Sequence, residues 1–208
     1  MPEAKDVHEY IDQQRFALMS NPECGMTHYN LATALLGLRK FEEAEQELKE
    51  AIRCSPTLAE AYVQLGGIAL QRGDLDGCLA YNQQSVKVRA GFAEGYGNIG
   101  FVELQRGNLD EAIAALEKAI KYNSKFVQAY ATLANAYLMN GELEKSIETN
   151  RAVLEMDENF AVAHNNLAIC YLEKGELENA AAHCRKAESL GYEVAEQIRS
   201  EIEQGQKK

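Results

Sequence analysis

A 34-residue pattern that recurs five times without insertion is the feature that most constrains this chain. The register is visible in glycines and phenylalanines that return at the same spacing, namely Gly73, Gly107, Gly141 and Gly175, and Phe92, Phe126 and Phe160. The five copies cover residues 25–58, 59–92, 93–126, 127–160 and 161–194. Such a chain folds by stacking one small unit on the next, because no single unit buries its apolar face alone.

Each copy predicts a hairpin of two helices. The first helix carries a large apolar residue beside a small one, as in Leu31-Ala32 and Leu133-Ala134, and such a pair lets helices approach closely. In the last four copies a glycine followed by a polar residue lies between the two helices, with Asp74 in one copy and Asn108 in the next. Glycine can end a helix in the left-handed conformation, and an Asp or Asn side chain can accept from the first amides of the following helix.

The flanking residues predict one further helix at each end. Residues 6–24 place Val7, Ile11 and Leu18 on one face and align with the second helix of a repeat, so they form a leading half repeat. Residues 195–204 combine an apolar stripe with a charged face, which is typical of the polar cap that repeat arrays need.

This arrangement of Leu beside a small residue, Tyr, Ala and aromatic residues at fixed places resembles the tetratricopeptide repeat family over nearly the whole chain. The resemblance implies an all-α fold, a right-handed superhelical solenoid of antiparallel helix hairpins with an N-terminal half repeat and a C-terminal capping helix. All of residues 1–208 then form a single tetratricopeptide repeat domain. The sequence departs from the family pattern at several positions, among them His28 and His164 at the fourth position and Glu103 at the eleventh.

Charge and composition exclude several classes of function. The chain has 32 acidic and 21 basic residues and no basic run, so nucleic acid and anionic lipid are not expected partners. No apolar stretch is long enough to insert into a membrane, and we expect a cytoplasmic protein. Nucleotide-binding, hydrolase and metalloprotease motifs are absent from the sequence, so we expect neither an enzyme nor a cofactor.

The five cysteines are scattered and form no CxxC pair, which favours reduced residues packed in the core. A metal site built from Cys170, Cys184, His164 and His183 is conceivable because these residues share one repeat. Their spacing matches no recognised ligand pattern, so ordinary packing is the preferred interpretation and we expect no metal.

In the family that this sequence resembles, the first helices line a concave surface that holds the ligand. Carrying those positions over residue by residue gives a partner-binding groove without any Lys or Arg, and Gln128, Thr132 and Val162 share its register. The predicted groove residues are Tyr29, Asn30, Thr33, Val63, Gln64, Gly67, Leu70, Gln71, Gly97, Asn98, Phe101, Leu104, Gln105, Ala131, Asn135, Leu138, Asn165, Asn166 and Ile169.

The missing cations bear on one family function in particular. Family members that bind the acidic tails of heat-shock chaperones use lysine and arginine around two asparagines. Asn135 and Asn166 fall at the asparagine positions, but Ala131 stands where the lysine belongs. Without that cation a carboxylate loses its charge-assisted hydrogen bonds, so this chain is not expected to bind such tails.

Two functions follow from an uncharged groove of apolar and amide side chains. The first is an adaptor whose groove binds a peptide or helical segment of a partner protein. The second is a structural scaffold that self-associates, with an end of one molecule in the groove of another. A sensor of carbohydrate or small molecules stays open as a third. We expect Gly97→Arg to abolish partner binding while helical content is kept, and we assign the three recurring phenylalanines to the core.

Overall fold

The computed structural model describes residues 6–206, and this part of the chain contains twelve α-helices and no strand. After a single first helix, the helices alternate as the first and second members of five hairpins, and a short helix follows. They are α1 Val7–Ser20, α2 Gly25–Gly37, α3 Phe41–Cys54, α4 Ala59–Gln71, α5 Leu75–Val88, α6 Ala93–Gln105, α7 Leu109–Tyr122, α8 Val127–Met139, α9 Leu143–Met156, α10 Ala161–Glu173, α11 Leu177–Ser189 and α12 Glu196–Gly205. The fold is an all-α repeat array, as the sequence predicts.

The chain divides into two compact units, Met1–Ile99 and Gly100–Lys208. In the first unit each helix from α1 to α5 packs against the next one in sequence. In the second unit α7 to α11 pack in the same way, and α12 contacts both α10 and α11. The first helices α8 and α10 of consecutive hairpins also touch each other. That contact places their faces side by side, and these faces form the floor of the candidate site.

The turn inside each hairpin is closed by the backbone. The amide of Asp74 donates to the carbonyl of Ala69 at 2.9 Å, and the amide of Gly73 donates to that of Leu70 at 2.9 Å. These bonds satisfy carbonyls that the end of a helix otherwise leaves unpaired. They require a residue with positive φ, which is Gly73 here, with φ of 77°. The same arrangement recurs at Gly107, Gly141 and Gly175.

The first hairpin makes the same turn without glycine. Arg39 takes its place with φ of 58°, and the amide of Lys40 donates to the carbonyl of Leu35 at 3.0 Å. A side chain in this conformation costs about 1–2 kcal/mol. The first hairpin therefore contains local strain that the glycine-containing hairpins avoid.

The core follows the repeat. The leucines at the seventh position, such as Leu31 and Leu167, are buried, and so are the small residues of the second helices. Phe92, Phe126 and Phe160 are only half-buried, so the assignment of these rings to the core is too strong. Each of them directly precedes a first helix, namely α6, α8 or α10.

Helix starts follow the sequence in one case and depart from it in another. The Asp74 side chain accepts from the amide of Gly77 at 2.8 Å, as expected of a capping residue. Asn108 makes no such bond, and its Nδ2 donates to a carboxylate oxygen of the buried Glu103 at 2.7 Å. The leading helix, expected over residues 6–24, starts after Asp6, whose carboxylate accepts from Glu9 N at 2.8 Å, and ends at Ser20 just before Asn21-Pro22. The capping helix, expected over 195–204, is α12.

Candidate functional site

The candidate site is an open cavity of about 420 Å³ in the second unit. Helices α8 and α10 form its floor, and the end of α6 and the segment after α11 supply its rims. Nine of its lining residues belong to the predicted groove: Phe101, Leu104, Gln105, Ala131, Asn135, Leu138, Asn165, Asn166 and Ile169. The remaining lining residues are Gln128, Thr132, Phe160, Val162 and Tyr192. The periodicity of the sequence therefore corresponds to a physical cavity in this unit.

The cavity contains no charged side chain among its lining residues. Its apolar part comes from side chains such as Phe101, Leu138 and Ile169, and its polar part from amides, one hydroxyl and one phenol. Such a lining favours a ligand that buries apolar groups and offers uncharged hydrogen-bonding atoms. A free carboxylate or ammonium would lose its hydration there without gaining an opposite charge.

The other ten predicted residues lie in the first unit, on α2, α4 and α6. They are Tyr29, Asn30, Thr33, Val63, Gln64, Gly67, Leu70, Gln71, Gly97 and Asn98. Gly67 is exposed, and a Cβ placed there would meet no atom within 4 Å. Gly97, however, is buried, so from the structure we expect arginine at this position to destabilise the fold. Thr33 already has a local partner, because its hydroxyl donates to the carbonyl of Tyr29 at 2.9 Å.

Two asparagine pairs, 68 residues apart in the repeat register, differ in how their amides are used. In the first unit, Nδ2 of Asn98 donates to Oδ1 of the fully buried Asn82 at 3.0 Å. Asn82 in turn donates to the carbonyl of Cys78 at 2.8 Å. The amide of Asn98 thus points at a protein partner, although the sequence places it among ligand-binding residues.

The equivalent pair in the second unit is Asn166 and Asn150. Asn150 donates to the carbonyl of Ser146 at 3.0 Å, but within the described chain its Oδ1 and the Nδ2 of Asn166 have no hydrogen-bond partner. Asn166 lines the cavity and is only 5% exposed. A buried donor left unpaired costs about 1–3 kcal/mol. Neither atom is accessible to solvent from the open cavity, and the equivalent atoms of Asn98 and Asn82 bond to each other, so this pair offers no free donor to a ligand.

Two aromatic residues of the cavity are not among the predicted site residues. The sequence assigns Phe160 to the core, and it packs on Val153 and Ala163 while also reaching the cavity. Tyr192 follows the left-handed Gly191 at the end of α11. The one signal for Tyr192 in the sequence is its bulk, because the corresponding positions hold Pro56, Ala90, Ser124 and Glu158.

A histidine pair connects α10 and α11. Nδ1 of His164 is 2.9 Å from Nδ1 of His183, and Nε2 of His164 is 3.2 Å from the carbonyl oxygen of Glu158. The carbonyl can only accept, which assigns the His164 proton to Nε2 and makes His183 the donor between the rings. The Tyr171 ring stacks on His183, and its hydroxyl accepts from Arg151 at 2.7 Å. Burial lowers the pKa of His183, and His164 and Arg151 lower it further.

This pair predicts a loss of stability in mild acid. Because the pKa of His183 is lowered in the folded chain, the unfolded chain binds more protons below the ordinary value of 6.5. The free energy of unfolding should therefore fall as the pH drops below that value. Urea unfolding measured from pH 8 to 5 checks this against His183→Gln, whose amide can still donate to His164 but does not titrate. Equal pH dependence in both proteins would contradict the assignment.

The cysteine and histidine set considered from the sequence is not assembled. His164 and His183 touch, but Cys170 donates to the hydroxyl of Ser146 at 3.3 Å instead. All five cysteines are free. Among the described residues, the group that can hold a metal ion is a different one, formed by His28, Glu50 and Cys54. It lies in the first unit, apart from the cavity.

Family models match most of the repeats. A model described as TPR repeat matches residues 100–141. A model described as tetratricopeptide repeat matches residues 14–59, 29–91 and 151–192, and another with that description matches 127–160. No curated protein sequence matches the chain significantly. Within residues 6–206, none of the helices combines the length and apolar character needed to cross a membrane.

Solved structures share the fold at low sequence identity. YrrB, described as "a TPR protein with an unusual peptide-binding site", is 18% identical over 95% of this chain and all of that one, with a TM-score of 0.74. MamA from Desulfovibrio magneticus, residues 41 to the end, is 24% identical over 80% of this chain and 94% of that one, with a TM-score of 0.71. PilF of Pseudomonas aeruginosa is 15% identical over 88% of this chain and 84% of that one, with a TM-score of 0.79.

Proposed function

Because this chain belongs to the tetratricopeptide repeat family, whose models match more than half of it, we propose that it is an adaptor that binds an uncharged segment of a partner protein in the cavity of its second unit. The observation that carries this proposal is the open cavity itself, which is lined by apolar and amide side chains and by no charged residue. The peptide-binding site for which YrrB is described lies on a similar fold, which supports the proposal.

The lining of the cavity specifies the chemistry of the segment. Phe101, Leu138 and Ile169 offer contacts to one or two apolar side chains. Each such side chain contributes about 1.5–3 kcal/mol when it is fully buried. Amide side chains in the lining, such as those of Gln105 and Asn135, can hydrogen-bond to the backbone of the segment. Side-chain carboxylates and ammonium groups are excluded because the cavity offers no opposite charge in exchange for their hydration.

Substitution of Thr132 with arginine tests the proposal. Thr132 is half-buried in the cavity wall, and its hydroxyl donates to the carbonyl of Gln128 on its own helix at 2.8 Å, so the fold does not depend on a distant partner. The long side chain of arginine occupies the cavity, and its charge is unfavourable next to the apolar side chains of a bound peptide. We expect at least a tenfold loss of affinity, or about 1.4 kcal/mol, for peptides selected from a displayed random library against the 208-residue chain.

Thr149→Arg is the matched control. Thr149 is equally half-buried and donates to the carbonyl of Lys145 at 2.7 Å, but it lies on α9 outside the cavity. Its affinity for the same peptides, measured by fluorescence anisotropy, should equal that of the wild type. Equal affinity of Thr132→Arg and Thr149→Arg would place the peptide elsewhere, and a library that yields no binder would count against the adaptor.

Self-association is the second candidate function, and α1 is the feature that favours it. Phe16 and Met19, three residues apart on this helix, are 70% and 82% exposed. They are side chains of the kind that the cavity of another copy would accept. If the chain is a scaffold, sedimentation velocity will show concentration-dependent oligomers that Thr132→Arg abolishes. A monomer at every concentration would reject this alternative.

A further inference from the structure

The first hairpin holds a group of metal-binding side chains that the proposed function does not use. One nitrogen of His28, a carboxylate oxygen of Glu50 and the sulfur of Cys54 lie within 4.8 Å of one another. His28 comes from α2, whereas Glu50 and Cys54 are four residues apart on α3 and face the same side. His28 is buried and the other two are half-buried. A metal bound there would connect the two helices of the hairpin.

This combination is specific to the first repeat. At the corresponding positions the other repeats hold Tyr62, Gln84 and Val88; Tyr96, Lys118 and Tyr122; Tyr130, Ala152 and Met156; and His164, Lys186 and Leu190. The packing of the repeat therefore does not require these three side chains. Tyrosine also replaces histidine in its structural contact, because the hydroxyl of Tyr62 donates to the carbonyl of Pro56 as His28 approaches that of Pro22.

The surroundings of His28 orient it as a metal ligand. Its Nδ1 lies 2.6 Å from a carboxylate oxygen of Glu47, and its Nε2 lies 2.9 Å from the carbonyl oxygen of Pro22. A histidine that binds a metal usually donates its other N–H to a carboxylate, which fixes the ring and the tautomer. Glu47 supplies that contact to Nδ1, and the ion would displace the proton that Nε2 donates to the Pro22 carbonyl.

We propose that this hairpin binds one zinc ion through Nε2 of His28, a carboxylate oxygen of Glu50 and the thiolate of Cys54, with Glu47 as the positioning residue. Nitrogen, oxygen and sulfur together suit zinc, which holds N and O at about 2.0–2.2 Å and S at about 2.3 Å. Donors around one tetrahedral ion then lie roughly 3.3–3.8 Å apart. Rotation of the Glu50 and Cys54 side chains shortens the present separations, which are within 4.8 Å, to this range.

Binding releases protons and leaves the site uncharged. The thiol of Cys54 loses its proton to the solvent, and the ion takes the place of any proton between Nε2 of His28 and the Pro22 carbonyl. Two positive charges on zinc meet one thiolate and one carboxylate. Arg53 Nε donates to Oε2 of Glu50 at 2.7 Å, which leaves Oε1 for the ion. The Pro22 carbonyl or water completes the coordination.

Cobalt(II) titration of the full chain under reducing conditions tests the site, because the visible absorption spectrum of tetrahedral cobalt(II) depends on its ligands. We expect one equivalent to produce visible d–d bands together with a thiolate charge-transfer band, and zinc to displace the cobalt. Cys54→Ser should remove the charge-transfer band and lower zinc affinity at least tenfold in calorimetry. His28→Tyr, which introduces the residue found in three other repeats, should lose both metals while keeping the helical circular dichroism signal.

Cys24→Ser is the matched control, because Cys24 is the other half-buried cysteine of the first unit and lies outside the group. It should bind cobalt and zinc as the wild type does. Glu47→Gln should weaken zinc about 10–100-fold, as loss of a carboxylate behind a histidine ligand does. A wild-type chain that gives no visible bands overturns the proposal, and so does Cys54→Ser with unchanged spectra.

Discussion

Gly97→Arg is expected to lower the free energy of unfolding by roughly 3–5 kcal/mol, the range associated with an uncompensated buried charge. Gly97 is buried within α6, so an added side chain has to displace the atoms that cover this residue. The gain from replacing a helical glycine is at most about 1 kcal/mol and does not offset this cost. Urea unfolding followed by circular dichroism measures the change.

Gly67→Arg is the control with the same chemical change. Gly67 also lies inside a first helix, but it is exposed and no atom lies near the position of a Cβ. We expect this variant to be as stable as the wild type or more stable by up to about 1 kcal/mol. If both variants unfold at the same urea concentration, the burial of Gly97 does not govern its tolerance of a charge.

Leu167→Ala is expected to cost about 2–5 kcal/mol. The side chain is 1% exposed and packs within the core of the second unit, together with Tyr171, Cys184 and Val194. Truncation removes the isopropyl group of the side chain and leaves a cavity that neighbouring helices fill only in part. Urea unfolding should show a lower midpoint than that of the wild type. Leu167 lies on the same helix as Asn165 and Asn166, which line the candidate site.

Met139→Ala provides the comparison for this cavity effect. Met139 is 56% exposed at the end of α8, so the deletion removes few contacts. A change within about 0.5 kcal/mol is expected, as for most surface substitutions. A midpoint for Leu167→Ala that matches that of Met139→Ala would mean that the core around Leu167 adjusts to the loss.

Much of the fold could be predicted because the residues that determine it act locally and recur in each repeat. Gly73 and its counterparts mark each turn, and Leu31 and its counterparts mark each buried face. What could not be predicted depends on contacts across the fold. Asn108 has the sequence of a capping residue, yet its amide is taken by Glu103, five residues earlier. The turn at Arg39 forms without glycine, and it makes the same backbone hydrogen bonds as the turns that contain glycine.

The candidate site shows the same division. Periodicity identified nine residues of the cavity, because residues at equivalent positions of α6, α8 and α10 have to share a face. It could not distinguish Asn98 from Asn166, which occupy the same position of different repeats. Their difference arises from the hydrogen bond that Asn98 makes with Asn82. Tyr192 was not found because it belongs to neither helix of its repeat.

The cavity without charged side chains has a consequence for the conditions under which a complex would persist. Ions in solution screen attraction between charged groups over about 10 Å at 0.1 M salt, but they do not screen apolar contact or an amide bonded to a carbonyl. If a segment binds through Phe101, Ile169 and the lining amides as proposed, it should stay bound at ionic strengths that dissociate complexes held by ion pairs. The acidic surface of the chain affects the association rate, and the contacts inside the cavity determine the dissociation rate.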